Sequence, residues 1–411
     1  MDAASTAGAM GTAGAMGSAG SAGSVSSADG AEPVLVYREG RAGHIVLNRP
    51  RALNALTHPM VRRIDAALDA FERDPDVAVV VLSGAGERGL CAGGDIRAIH
   101  EDARGDRTAS PAFWRDEYRL NARVARCPKP YVALMDGIVM GGGIGVSAHG
   151  RFRVVTERST LAMPETGIGF APDVGGSLLL ARAPGELGTH LALTASTADA
   201  GDALYCGLAD HLVPTERLAD FAKALADGVV EEAVERYAAP APPSGLARHR
   251  EWIDHCYAAD TVEEILARLR AHPASPCPDS AADSTTGSGA NSAGNGVGSG
   301  AGAERELGPA MAARSIEGKS PTGLKVALAQ LRAARRLGAL EPVLEREFRA
   351  SCAALSSWDL VEGIRAQVID KDRAPRWSPA TLEEVSEERV AAYFAPPAGG
   401  DPRLGTPPTA P

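Results

Sequence analysis

No two of the six cysteines (Cys91, Cys127, Cys206, Cys256, Cys277, Cys352) stand at CxxC or any other metal-ligand spacing. That argues against a zinc site or a redox dithiol, and for small buried thiols in a reducing, cytoplasmic protein. The histidines are scattered, and none forms a metal-binding pair. There is no excess of positive charge either: 42 Lys and Arg against 52 Asp and Glu give a net −10, which disfavours general nucleic-acid binding. No apolar run approaches the ~18 residues of a membrane-spanning helix. No GxSxG nucleophile elbow is present, which disfavours the serine-hydrolase route to ester cleavage. No Walker A lysine follows the glycine clusters, and GGGIG does not fit GxGxxG.

The first 32 residues lack arginine and lysine altogether and consist mostly of Ala, Gly, Ser, Thr and Met. A secretory signal needs a basic start and a bulky apolar segment, and a mitochondrial presequence needs arginines. The stretch is therefore expected to be a disordered tail, with Met10 and Met16 leaving the true start open. Residues 273–303, rich in Gly, Ser and Ala, hold too little apolar surface to offset the entropy of ordering and are expected to be a flexible insertion. These segments divide the chain into a body at 33–272, a C-terminal part at 304–395 and a Pro-rich tail at 396–411.

Within the body, strands alternate with helices. Val34–Arg38 and His44–Leu47 predict a hairpin about Glu39-Gly40. Val61, Ile64, Leu68 and Phe71 recur at helical spacing after Thr57, a candidate cap. Val77–Leu82 is a continuous apolar run of strand length, as in a strand buried on both faces, and Tyr131–Met135 and Phe152–Val155 repeat that character. This alternation predicts an α/β layered fold. The C-terminal part predicts helices over Pro321–Leu331, Leu340–Leu355, Leu360–Ile369 and Glu383–Phe394.

Three segments carry chemistry. CAGGD (Cys91–Asp95) places two glycines before Asp95, a candidate helix cap; either this is an ordinary turn, or the Gly94 N–H faces a ligand. MGGGIG (Met140–Gly145) opens a short helix with bare N–H groups at its positive end, suited to a developing negative charge or simply to close packing. AMPETGIGFAPDVGG (Ala162–Gly176) holds Glu165 and Asp173 among apolar, Gly- and Pro-punctuated residues. Glu165 in such surroundings favours function, whereas Asp173 could equally cap a helix. Glu117, in FWRDEYRLN, shares a helix face with Phe113 and Leu120 and is expected to turn inward. His149 is expected to be a packing or capping residue.

Together NRPRALNAL (Asn48–Leu56), CAGGDI, the glycine cluster and MPETGIGFAPDVGG resemble, in order and spacing, the crotonase (enoyl-CoA hydratase/isomerase) superfamily. PYVALMDGIVMGGGIGVSAHGRFRVVTE, FWRDEY, KSPTGLKVAL and VEGIRAQVIDKDRAPRW resemble its thioester-hydrolase branch most. The resemblance covers 33–272 and 304–395. It implies a stack of β-β-α turns with a helical region that covers the site or mediates oligomer contacts. It also implies an oxyanion hole from the amides of Gly94 and Gly142, catalytic carboxylates at Glu165 and Asp173, and contact of Glu117 with the acyl group. Gly142, Glu165 and Asp173 would touch the substrate too, and CoA would lie by the loop after Asn48. The implied reaction is hydrolysis of a short branched 3-hydroxyacyl-CoA, 3-hydroxyisobutyryl-CoA foremost. It calls for no metal and no cofactor (CoA is part of the substrate), no nucleic acid and no membrane, with a homo-oligomer as a possible assembly. Hydratases carry a second catalytic glutamate two residues after the glycine triplet, where this chain has Gly145. An enoyl-CoA hydratase or isomerase, or a non-catalytic CoA-binding protein, are the alternatives.

Overall fold

Residues 32–273 and 308–404 are described by a computed structural model. The expected N-terminal tail, nearly all of the 273–303 insertion and the last residues of the Pro-rich tail lie outside them. In chain order the strands are β1 (Val34–Glu39), β2 (Ala42–Leu47), β3 (Val79–Gly84), β4 (Tyr131–Met135), β5 (Ile138–Met140), β6 (Phe152–Val155), β7 (Thr160–Ala162), β8 (Thr197–Ala198) and β9 (His211–Leu212). The helices that frame the site are α1 (His58–Arg73), α2 (Ile96–Arg104), α3 (Ala109–Ala125), α4 (Gly142–Ser147) and α5 (Gly176–Arg182).

The larger sheet runs β1-β2-β3-β4-β6-β9 and the smaller β5-β7-β8. β1 and β2 form the expected antiparallel hairpin, and each later pair in the larger sheet is parallel. The apolar run in β3 explains its central place. Val80 and Leu82 join the core under α1 and α3, while Val79 and Val81 pack on the other face with Val132, Val154 and Phe221. On α1 the expected stripe Val61, Ile64, Leu68 and Phe71 is buried, as are Met60 and Ala67.

In the middle of the body the chain sends one strand to the larger sheet, the next to the smaller, and then forms a helix or tight turn. β4, β5 and α4 make one such turn; β6, β7 and a 3-10 turn at Glu165–Ile168 make the next. This is an α/β fold of stacked β-β-α turns with helices at its C-terminal end. Helix Pro321–Leu337 packs on α5, and helix Leu340–Ala354 packs on α3 and α5. The expected helix over Leu360–Ile369 is a short α-helix, Trp358–Ile364, continued by a wider π-turn, Arg365–Ile369. The start of the Pro-rich tail lies along α3, where Arg115 donates to the carbonyl of Asp401 (2.8 Å) and Arg126 to that of Leu404 (2.6 Å).

Candidate active site

The stacked turns bring the two glycine clusters and the first carboxylate to one level. Cys91 pairs in parallel with Val139, and Val139 with Leu161. Three residues further along each strand stand Gly94, Gly142 and Pro164, with Glu165 next. The register of the smaller sheet thus sets the two glycines side by side. A β-carbon added at Gly142 would lie 3.2 Å from the Gly94 nitrogen. Positive φ angles at Gly93 (+106°) and Gly141 (+49°) bend the chain ahead of each, a conformation that favours glycine. Neither the Gly94 nor the Gly142 amide donates to an acceptor among the described residues, and Gly142 is the first residue of α4. Two bare N–H groups at one point, one on a helix N-terminus, suit a carbonyl oxygen acquiring negative charge.

Glu117, Glu165 and Asp173 line the same cavity, of about 330 Å³, together with Gly94 and Gly142. The expected inward turn of α3 is real: Phe113, Glu117 and Leu120 are all buried. Burial pushes the Glu165 and Glu117 carboxyls well above the usual carboxylate range, and the nearby Asp173 charge adds to both. Burial raises Asp173 to about 7, against a hydrogen bond from Tyr118 that lowers it. Carboxyls this close and this desolvated cannot all ionise at neutral pH, so they share protons. Glu165 Oε2 and Glu117 Oε1 are buried and have no protein partner, as expected where a ligand supplies one.

Neither aspartate acts as a helix cap through its side chain. Asp95 precedes α2 but pairs with Arg49 (3.2 Å), and Gly175, not Asp173, occupies the cap position of α5. Val174 carries a left-handed backbone (φ +53°), rare for a β-branched residue. Its carbonyl accepts from His149 Nε2 (2.7 Å), whose imidazole burial keeps neutral by lowering its pKa to about 4. His149 therefore packs beneath the loop and does not line the cavity. The Val174 side chain fills the space over Gly145: a β-carbon there would meet Val174 Cβ at 2.6 Å and Asn121 Nδ2 at 2.9 Å. The position at which hydratases carry their second glutamate is sterically closed in this chain.

Several residues in and behind the cavity escaped the sequence reading. Trp114, stacked on Phe170 (5.7 Å), Leu360 and Ile364 supply apolar wall. Glu347, fully buried and raised to about 8 by that burial, accepts from the Gly175 (2.6 Å) and Ser177 (3.1 Å) amides and so clamps the loop after Asp173. Lys319 lines the cavity with its ammonium partly desolvated, which lowers its pKa, and has no acidic partner among the described residues. The helices of Trp114, Glu347, Leu360 and Ile364 were visible, whereas Lys319 stands in the turn before helix Pro321–Leu337; how packing gathers them in and behind the cavity was not. The C-terminal region thus lines the site within its own chain. No group of three His, Cys, Asp or Glu side chains suited to a metal ion occurs among the described residues.

A profile of the enoyl-CoA hydratase/isomerase family matches residues 42–292 and 301–394. The chain is 38% identical over 387 residues to the mitochondrial 3-hydroxyisobutyryl-CoA hydrolase of Gallus gallus, covering 92% of each chain. It is 39% identical over 381 residues to the enzyme of the same description from Homo sapiens, covering 89% of each. Among solved structures it resembles a carnitinyl-CoA dehydratase from Mycobacterium thermoresistibile, with TM-score 0.80 and 47% identity over 91% of this chain and 99% of that one. It also resembles an enoyl-CoA hydratase from Rhodobacter sphaeroides, with TM-score 0.78 and 39% identity over 90% and 99%.

Proposed function

The chain belongs to the enoyl-CoA hydratase/isomerase family, and within it we infer that it hydrolyses 3-hydroxyisobutyryl-CoA, with water, to 3-hydroxyisobutyrate and free CoA. The observation that carries this is the pairing of Glu165 and Asp173 beside two free amides, with Gly145 leaving no room for a second hydratase glutamate. Relatives named 3-hydroxyisobutyryl-CoA hydrolase, alike over about nine-tenths of the chain, support the acyl group. On the same reading the step belongs to valine degradation, in a reducing compartment in keeping with the free cysteines among the described residues.

In this mechanism the thioester oxygen accepts hydrogen bonds from Gly94 and Gly142, which draws electrons from the carbonyl carbon. In the working form the Glu165 and Asp173 pair carries one negative charge, since carboxyls this buried and this near each other do not both ionise. With that charge on Glu165, the carboxylate either takes a proton from an attacking water or attacks the carbon itself. Asp173 meanwhile keeps its proton on the side of Tyr118 and accepts a hydrogen bond from the substrate hydroxyl at its other oxygen. As the C–S bond breaks, the sulfur leaves with the electron pair and takes up a proton from Glu165 or from water to become the CoA thiol; where Glu165 itself attacked, a water then cleaves the mixed anhydride and restores the carboxylate. Glu117, from α3, borders the acyl group. The Lys319 ammonium offers its charge to the anionic CoA portion.

Two assays on one preparation test the reading: thiol release from 3-hydroxyisobutyryl-CoA, and hydration of crotonyl-CoA. Thiol release well above hydration is expected, and efficient hydration without thiol release would overturn it. A second expectation concerns Lys319→Ala. A cation that binds substrate and transition state alike contributes to KM and not to kcat. The variant is expected to raise KM roughly 10-fold, the equivalent of one charged hydrogen bond, with kcat nearly unchanged in steady-state assays.

A further inference from the structure

Behind Asp173 runs a short chain of hydroxyls that the mechanism above does not use. Tyr118 Oη lies 2.8 Å from Asp173 Oδ2 and 2.8 Å from Ser351 Oγ, and Ser351 Oγ lies 2.9 Å from the carbonyl of Glu347, four residues earlier on its helix. Tyr118 and Ser351 are both essentially inaccessible to water. Burial and the carboxylates around it raise the Tyr118 phenol well above its ordinary value, so it stays a hydroxyl.

Each hydroxyl has one proton to donate, yet each touches two polar partners, and so two arrangements satisfy the row, one for the ionised carboxylate and one for the acid with its proton on Oδ2. In the first, Ser351 donates to Tyr118 and Tyr118 donates to an ionised Asp173. In the second, a protonated Asp173 donates to Tyr118, Tyr118 to Ser351, and Ser351 to the Glu347 carbonyl. We propose that Tyr118 and Ser351 are positioning residues for Asp173, a two-hydroxyl relay that reverses its direction to serve the aspartate in both protonation states. Both hydroxyls keep their own protons and only rotate. The proton that Asp173 gains or gives up is exchanged with Glu165 or with substrate on the cavity side. The relay lets the single negative charge of the pair move to Glu165 without leaving a buried donor or acceptor unpaired.

The groups facing Asp173 bear this out by their sign. Glu117 comes from α3, Glu165 from the 3-10 turn and Glu347 from helix Leu340–Ala354, all acidic. His149, on the segment after α4, is neutral and occupied with Val174. Lys319 is the cation lining this cavity, and it makes no ion pair with Asp173. Anionic Asp173 therefore depends on neutral donors, its own backbone amide and the Tyr118 hydroxyl, and Tyr118 is the side chain that reaches it.

The proposal rests on the hydrolase reading, and its test separates the two. The pH profile of kcat/KM for thiol release is expected to rise as the Glu165–Asp173 pair gains its single negative charge, along an acid limb set by Asp173, the group raised to about 7. Tyr118→Phe removes the donor to the anion, and a hydrogen bond to a charged group outweighs one to a neutral group, so the limb moves up by about one pH unit. Ser351→Ala leaves that donor but strands the tyrosine proton when Asp173 is neutral, so the limb moves down, by roughly half to one unit. Shifts of opposite sign are the signature. No shift, or shifts of the same sign, would overturn the relay, since a merely structural role lowers kcat and leaves the limb in place. The same titration is read without turnover from the infrared band of the protonated carboxyl, assigned by its loss in Asp173→Asn. If the wild-type protein releases no thiol, the hydrolase reading fails, and the infrared shifts alone decide the relay.

Discussion

Glu165→Gln is expected to lower thiol release from 3-hydroxyisobutyryl-CoA by about 10⁴-fold while leaving the protein folded and able to bind CoA. The substitution keeps the shape of the side chain and removes only its capacity to carry charge. A carboxylate that acts as nucleophile or general base loses that function entirely. If turnover is unchanged, the site proposed above is wrong. The same variant carries a second expectation, of opposite sign for stability. Glu165 is pushed well above the usual carboxylate range by burial and by Asp173. A folded-state pKa above the unfolded one means that the native protein binds the proton more tightly. Its contribution to stability is fully present below the unfolded value of 4.5 and is lost as pH rises through the raised folded value. At neutral pH the crowded carboxyls therefore destabilise the fold, and replacing one by a neutral amide relieves that. The melting midpoint of Glu165→Gln at pH 7 is expected to rise by a few degrees, with the gain shrinking toward pH 4. Lost activity with gained stability distinguishes a working carboxylate from a structural one, whose removal would lower both.

How much of this site the sequence made legible follows from where its parts lie along the chain. The two glycine clusters and the loop from Ala162 to Gly176 are local patterns, each readable within about fifteen residues, and the stacked turns bring them together. The layered α/β architecture was legible for the same reason, because the β3 run alternates between two buried faces. Glu117 was half legible. Its helical phase beside Phe113 and Leu120 turned it inward, but the same phase placed Tyr118 and Asn121 inward as well, and polar residues on a buried face were the unused signal. Ser351 and Glu347 were not legible, since their helix carries an ordinary amphipathic period and only tertiary packing brings it behind Asp173, and Lys319 stands in a turn that carries no periodic signal. The capping expectation for Asp173 shows the limit of local rules. Sequence places it ahead of a helix, and two left-handed residues, Val174 and Gly175, then turn its carboxylate away from that helix and toward Tyr118.

The second large effect separates the two oxyanion amides, which the sequence treats as equivalent. Gly142→Ala is expected to cost roughly 10²–10³ in kcat, the usual loss of an oxyanion donor. Its new methyl would sit 2.7 Å from Glu117 Oε1, 3.2 Å from the Gly94 nitrogen and 3.3 Å from Leu56 Cδ1, within the space that the thioester oxygen needs. The Glu117 carboxylate must move, and the start of α4 or the Gly94 segment with it, so both amides lose their common aim. Gly94→Ala is the control. The nearest neighbours of its methyl are Phe113 and Ile99, at 3.5–3.8 Å, which is ordinary contact, and its backbone is not in the left-handed region. The Gly94 amide can therefore keep its position, and a loss of less than about 10-fold in kcat is expected. Equal losses in the two variants would mean that the site tolerates no methyl at either glycine for reasons of packing alone, and the oxyanion assignment would lose its support. A large loss at Gly142 beside a small one at Gly94 ties the rate to the direction of two N–H groups, since the two variants add the same atom to the same cavity and differ in what that atom displaces.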